Sequence, residues 1–323
     1  VPNDTESLRE SKELGFIDSM IDRLTDPLTG ATQQPRHALG VKPELACIDT
    51  TAAEFPAETN YLYSSYKAAA TQQRKSRRKK IVVLGSGPYR IGSSVEFDWC
   101  CVNAVEAAAT LGYETIMVNY NPETVSTDYD VCDQLVFDEI SVEAILDLCE
   151  NEKPEGIIVS MGGQLPNNLA LELDRAGVPI LGTSAANIAR AEDRGKFSDL
   201  LDQLGIDQPK WAQVIDLEDA ERIVADLGGF PVLVRPSYVL SGAAMSVANE
   251  ANELELILSR AKAVNDEHPV VVSKFETHAR EIEIDAVADE GNLVLWALSE
   301  PVSYTHLRAH ETEADLVCRL LLE

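Results

Sequence analysis

Three stretches of this 323-residue chain set a charged side chain at the end of an apolar run, beside a turn. In VRPSYVLSGAAM (234–245) the run closes on Arg235 and bends through Ser241, Gly242, Ala243 and Ala244. Arginine is a permanent cation with a planar fork of donors, and backbone N–H groups in a small-residue turn can close over phosphate oxygens. A plain β-hairpin would need the glycine but not the Arg-Pro-Ser; on this stretch alone both readings stand. VVVSKFE (270–276) ends on Lys274 and leads to EIEID (281–285). Lysine offers a cation for phosphate, the backbone near Glu276 an edge for a purine, and the Glu281 carboxylate an acceptor for a ribose diol. The competing reading is an exposed strand face.

The third stretch, GSGPYRIG (85–92), lies at a strand-to-helix junction, where free N–H groups favour an anion. Its spacing is G-x-G-x-x-x-x-G rather than G-x-G-x-x-G, and the next strand ends in Asn119 and Tyr120 instead of an acid for a ribose. Both features disfavour a dinucleotide. A structural turn and a turn presenting Arg90 to a cleft remain.

Elements must position these residues. From Lys80 the pattern alternates: IVVLG, YETIMVNYN, GIIVSMGG and VPILGT read as strands, with amphipathic helices over 95–112, 141–154 and 167–177 between them. Near-continuous apolar strands joined by helices predict a parallel sheet covered on both faces. A single helix is expected over 185–205. Past Pro209 the pattern becomes α+β: helices over 216–229 and 252–265, with FPVLVRPS, GAAMSVAN, PVVVSKFE, EIEIDAVAD and NLVLWALSE as strands of an antiparallel sheet. Residues 5–25 have helical spacing, a loop is expected over 27–43, and the basic run 72–80 reads as a solvated linker.

Composition excludes several classes. Lys+Arg of 27 against Asp+Glu of 54 gives a net charge of −27, which repels nucleic acid and anionic membranes. No apolar run approaches a membrane span, so a cytoplasmic protein is expected. Six cysteines, without CxxC or Cys/His metal spacing, read as reduced thiols.

In sequence order, the phrases GSGPYRIGSSVEFDWCCVNA (85–104), ETIMVNYNPETVSTDYD (114–130), VSMGGQLPNNLA (159–170), GTSAANIARAEDRGKF (182–197), RPSYVLSGAAM (235–245) and VVSKFETHAREIEIDAVA (271–288) resemble the large subunit of carbamoyl phosphate synthetase, in its second, carbamate-phosphorylating half. The resemblance implies a Rossmann-like pre-ATP-grasp layer followed by part of an ATP-grasp α+β domain. It implies ATP and Mg2+ as cofactors, carbamate or bicarbonate as substrate, a glutaminase subunit or domain as partner, and a homo-oligomer in the parent. Residue by residue it puts Arg194 and Arg235 on the phosphates, Ser241 and Gly242 in the loop over them, Lys274 and Glu276 by the adenine, and Glu281 on the ribose. Ser-Gly-Ala-Ala-Met replaces the Gly-Gly-Arg-Ala-Met of many bacterial members, is similar to the eukaryotic multifunctional pyrimidine enzyme, and leaves Arg235 to carry more of the phosphate charge.

The resulting division is residues 1–77 as the trailing part of a helical oligomerisation domain and connector, which CIDTTAAEF (47–55) resembles, 78–190 as the pre-ATP-grasp domain, and 191–300 as the first part of the ATP-grasp domain. Residues 301–323 are unlike the family and resemble translated adaptor sequence. They carry His306 and His310 at i, i+4, a metal spacing not adopted here, and are expected to bind nothing. The expected catalytic and Mg2+-ligand segments are missing, so the chain is expected to bind ATP without turning over. Two other readings stay open: a non-catalytic assembly or effector module, and another ATP-grasp carboxylase.

Overall fold

The computed structural model describes residues 5–25, 33–52, 54–56, 59–67, 76–89, 95–214, 220–236, 245–264, 270–277 and 282–299. The first helical stretch is two helices, α1 (Thr5–Glu13) and α2 (Asp18–Thr25), broken at Gly15, whose φ of +89° suits glycine. A further helix, α3 (Gln33–Ala38), occupies part of the expected loop. Among the described residues Leu8, Ile21 and Val41 form a small apolar cluster here, with Tyr66 packed against it. Buried charge binds these helices to the rest of the chain. Lys12 pairs with Asp18 and Glu143, Arg36 with Asp18 at 3.0 Å and Asp147 at 2.9 Å, and His37 with Asp147 at 2.7 Å. The Tyr66 ring lies 5.6 Å from the Lys12 ammonium and 5.8 Å from the Arg36 guanidinium.

Strands β1 (Glu44–Cys47) and β2 (Tyr61–Ser65) pair antiparallel. The alternation then runs β3 (Lys80–Leu84), α4 (Val95–Thr110), β4 (Glu114–Val118), β5 (Gln134–Phe137), α5 (Val142–Glu152), β6 (Gly156–Ile158), α6 (Gln164–Asn167), α7 (Ala170–Arg175) and β7 (Ile180–Leu181). The seven strands make one sheet in the order β1-β2-β5-β4-β3-β6-β7, parallel from β2 onward. Alternate residues serve opposite cores. Val82, Leu84, Ile116, Val118 and Val136 face α5 and α7, while Ile81, Val83, Met117 and Leu135 face α4. Both faces being covered explains why these strands read as unbroken apolar runs.

Helices α8 (Ala185–Glu192) and α9 (Arg194–Leu204) lead to β8 (Trp211–Val214), α10 (Ala220–Asp226), β9 (Val232–Pro236), β10 (Ser246–Ala248), α11 (Ala251–Val264) and β11 (Val270–Lys274). These four strands form an antiparallel sheet, β10-β9-β11-β8, with α10 and α11 on one face over Val214, Val232, Val234, Val270 and Val272. The last two strands do not join it. β12 (Glu283–Asp289) and β13 (Asn292–Ser299) form their own hairpin through Glu290 and Gly291, both at positive φ. Among the described residues no helix is long and apolar enough to cross a membrane.

Candidate functional site

The run expected as one helix over 185–205 breaks at Asp193. Its backbone is extended there (φ −79°, ψ 111°), and its carboxylate accepts from the Lys196 N–H at 3.0 Å, capping α9. The break starts a new helix on Arg194 and turns it onto the small sheet. The Arg194 Nη2 lies 3.7 Å from the Met245 sulfur. On β9, half-buried Arg235 donates from Nη2 to the Ser273 hydroxyl at 3.3 Å, and its buried Nε has no partner among the described residues. Burial, and then the nearby charge of Arg194, hold the Arg235 guanidinium below the ordinary arginine value. Two like charges thus converge, and among the described residues neither has a carboxylate partner. Such a pair costs free energy that a bound polyanion would repay.

Strand alternation separates this pair from Lys274. Arg235, Val271 and Ser273 occupy the face away from α10 and α11, whereas Lys274 follows Val270 and Val272 onto the helix-covered face. Its ammonium donates to the carbonyls of Gly229 at 2.9 Å and Phe230 at 3.0 Å. Glu276 is exposed just beyond β11. Ser241, Gly242 and Glu281 lie outside the described residues. The structure therefore brings Arg194 and Arg235 together and leaves Lys274 on the opposite face of the sheet. It adds Ser273 and Met245, uncharged residues of the quoted stretches to which the sequence assigned no role.

The glycine turn after β3 is braced from β4. Gly87, at φ +69°, donates its N–H to the Asn119 Oδ1 at 3.1 Å, and a Cβ there would stand 2.8 Å from the Tyr120 hydroxyl. Asn119 in turn donates to the Ser126 hydroxyl at 3.3 Å, and the Ser126 N–H to Asp98 at 3.0 Å. Asn119, which stands where a ribose acceptor would be sought, is committed to holding the turn, and the Tyr120 ring packs against Gly87. Arg90 and Gly92 lie outside the described residues. Among the described residues no group of three or more His, Cys, Asp or Glu side chains is placed to hold a metal ion.

A Rossmann-like layer followed by this antiparallel sheet defines an ATP-grasp fold. The same fold occurs in N5-carboxyaminoimidazole ribonucleotide synthetase from Thermus thermophilus, at TM-score 0.51 and 20% identity over 69% of this chain and 55% of that one. It occurs also in the biotin carboxylase domain of Hydrogenobacter thermophilus 2-oxoglutarate carboxylase, crystallised with MgADP, ADP and bicarbonate, at TM-score 0.53 and 19% identity over 68% of this chain and 49% of that one. Residues 77–190 match the carbamoyl phosphate synthase preATP-grasp domain, and residues 193–311 match the carbamoyl-phosphate synthase L chain, ATP binding domain. The chain belongs to the carbamoyl phosphate synthase large-chain family.

Its relatives include the mitochondrial arginine-specific large chain of Neurospora crassa, 48% identical over 97% of this chain and 26% of that protein. The multifunctional protein CAD of Squalus acanthias is 50% identical over 96% of this chain and 14% of that protein. The chain spans about a quarter or less of the length of these relatives. Near-equal identity to both kinds does not separate the arginine-specific from the multifunctional type. The second domain match runs to residue 311, eleven residues into the stretch expected to be unlike the family; 301–323 lie outside the described residues.

Proposed function

We propose that this chain supplies the nucleotide-phosphate wall of the carbamate-phosphorylating half of a carbamoyl phosphate synthase. The observation that carries the reading is the convergence of Arg194 and Arg235, with an Nε unpartnered and no carboxylate pairing with either among the described residues. Phosphoryl transfer depends mainly on positioning and charge neutralisation, and two guanidiniums on a half-buried sheet face supply both. Bound ATP would bring the transferable phosphoryl group; the chain's own part is to hold its negative charge and fix its place. In this reading Ser241 and Gly242 close over the phosphates, Lys274 and Glu276 border the adenine, and Glu281 accepts from the ribose. Lys274 would act through the two carbonyls it holds, shaping the chain segment before β9.

In this reading, as the resemblance to the family implies, the metal and the carbamate would be held by other parts of a longer enzyme, together with a glutaminase partner and any oligomer contact. The chain alone is expected to bind nucleotide and not to turn over. Titration calorimetry with MgATP tests this. Arg235→Ala should weaken binding roughly 10- to 100-fold, the worth of a charge-assisted hydrogen-bond set. Equal affinity of the variant and the unchanged chain would sink the proposal.

A further inference from the structure

We infer that Gln213 is a third contact of the Arg194–Arg235 anion site and makes that site sensitive to the length of a polyphosphate, an inference that rests on the nucleotide reading above. Val271, on central strand β11, is paired with Arg235 of β9 on one side and with Gln213 of β8 on the other. Directly opposed residues share a face, so Arg235, Val271 and Gln213 form a row across three strands. With strands about 4.8 Å apart, the ends of that row are separated by roughly 10 Å.

The first turn of α9 lies along this row. Arg194 acts on Arg235 at one end. At the other, the next residue, Gly195, sits so close to Gln213 that a Cβ added to it would collide with the Gln213 Nε2. Glycine at 195 is what leaves room for the carboxamide. Gln213 is nevertheless solvent-exposed, and among the described residues its carboxamide makes no hydrogen bond. Asp193, whose Oδ1 would lie 3.3 Å from the same added Cβ, is engaged by the Lys196 N–H at 3.0 Å and the Lys196 ammonium at 3.6 Å. The amide therefore stands ready as a neutral donor, at a position where a further cation would only add to the repulsion between the two arginines.

A single phosphate held by the arginine pair cannot reach across the row, whereas a chain of phosphates can. With the inner phosphates at Arg194 and Arg235, the Gln213 Nε2 donates to an oxygen of the outermost one. The site then prefers a nucleoside triphosphate to a diphosphate through this residue.

Calorimetric titration of the full chain with MgATP and with MgADP decides the matter. Gln213→Ala should weaken ATP about fivefold, the worth of one net hydrogen bond, and leave ADP unchanged, so that the preference for ATP collapses. Gln213→Glu should weaken ATP roughly tenfold or more by placing a carboxylate against the outer phosphate. Equal losses for both nucleotides, or no loss for either, would overturn the inference. Arg235→Ala separates the two levels of argument. If it abolishes ATP binding while Gln213→Ala is silent, only the assignment of Gln213 falls; if it too is silent, the nucleotide reading and this inference fall together.

Discussion

Asp133 illustrates how one side chain can make stability depend on pH. Burial pulls its carboxyl upward, but hydrogen bonds from the Arg78 guanidinium and the Thr115 N–H, together with the Arg78 charge, outweigh burial and hold it below the ordinary value of 3.8. A depressed folded value means that the unfolded chain binds the proton first. The stabilisation is complete above 3.8 and is lost as the pH falls through the lower, folded value. Arg78→Ala should therefore lower the urea midpoint at about pH 6, and that penalty should shrink progressively as the pH is taken below 3.8. A penalty that does not change with pH would contradict this account.

The same scale shows what the sequence could and could not disclose. Arg235 was legible because a permanent cation between an apolar run and a small-residue turn is unusual in a strand. Gln213 was not, because β8 is a four-residue edge strand, too short for a period of two to stand out. Arg194 could be named by resemblance, but not its direction. Apolar periodicity runs straight through Asp193, and only its capping of the Lys196 N–H breaks the helix there.

Among the elements, the N-terminal helices are held by ions where most helices are held by grease. Arg36 is wholly buried. Burial lowers its pKa, but the hydrogen bond and charge of Asp147 and the charge of Asp18 more than reverse this and raise it. Removing one partner from such a network leaves a buried charge uncompensated. Asp147→Ala should cost roughly 3–5 kcal/mol, read by urea unfolding. Lys42→Ala, which removes a half-exposed ion pair to Glu150, should cost at most about 1 kcal/mol. Comparable costs for the two would show that the network adds nothing beyond its surface pairs. These helices were only partly legible: spacing gave a helical stretch over 5–25, whereas the Gly15 break and α3 depend on contacts with distant Glu143 and Asp147. Strand β5 was missed too, because four residues flanked by polar ones give no period to read.

Across the whole molecule, the two sheets are covered unequally. The parallel layer buries both faces under apolar clusters, whereas the four-stranded sheet has an apolar cluster on one face and, on the other, buries Val271 and Ser273 beside exposed Gln213. The β12–β13 hairpin buries neither: Leu293, Leu295, Trp296 and Leu298 range from 48% to 61% exposed. An isolated hairpin is marginal in water, and an apolar patch of this kind marks a contact surface. The chain should bind an apolar reporter dye and self-associate as its concentration rises, and Trp296→Lys combined with Leu298→Lys should abolish both. Unchanged dye fluorescence in that double variant would mean the hairpin is not the source.

The β1–β2 pair carries a different lesson. The domain match begins at residue 77, yet two strands that precede it hydrogen-bond to each other and, through β2 and β5, complete the parallel layer. The stretch covered by the domain model is thus smaller than the stretch that closes its own sheet, although the relatives match this chain over 96% to 97% of its length. A boundary drawn by similarity at residue 77 would cut through a ladder of backbone bonds and leave the flank of β5 bare. In this chain the edge of the domain model and the edge of the hydrogen-bonded sheet fall at different residues.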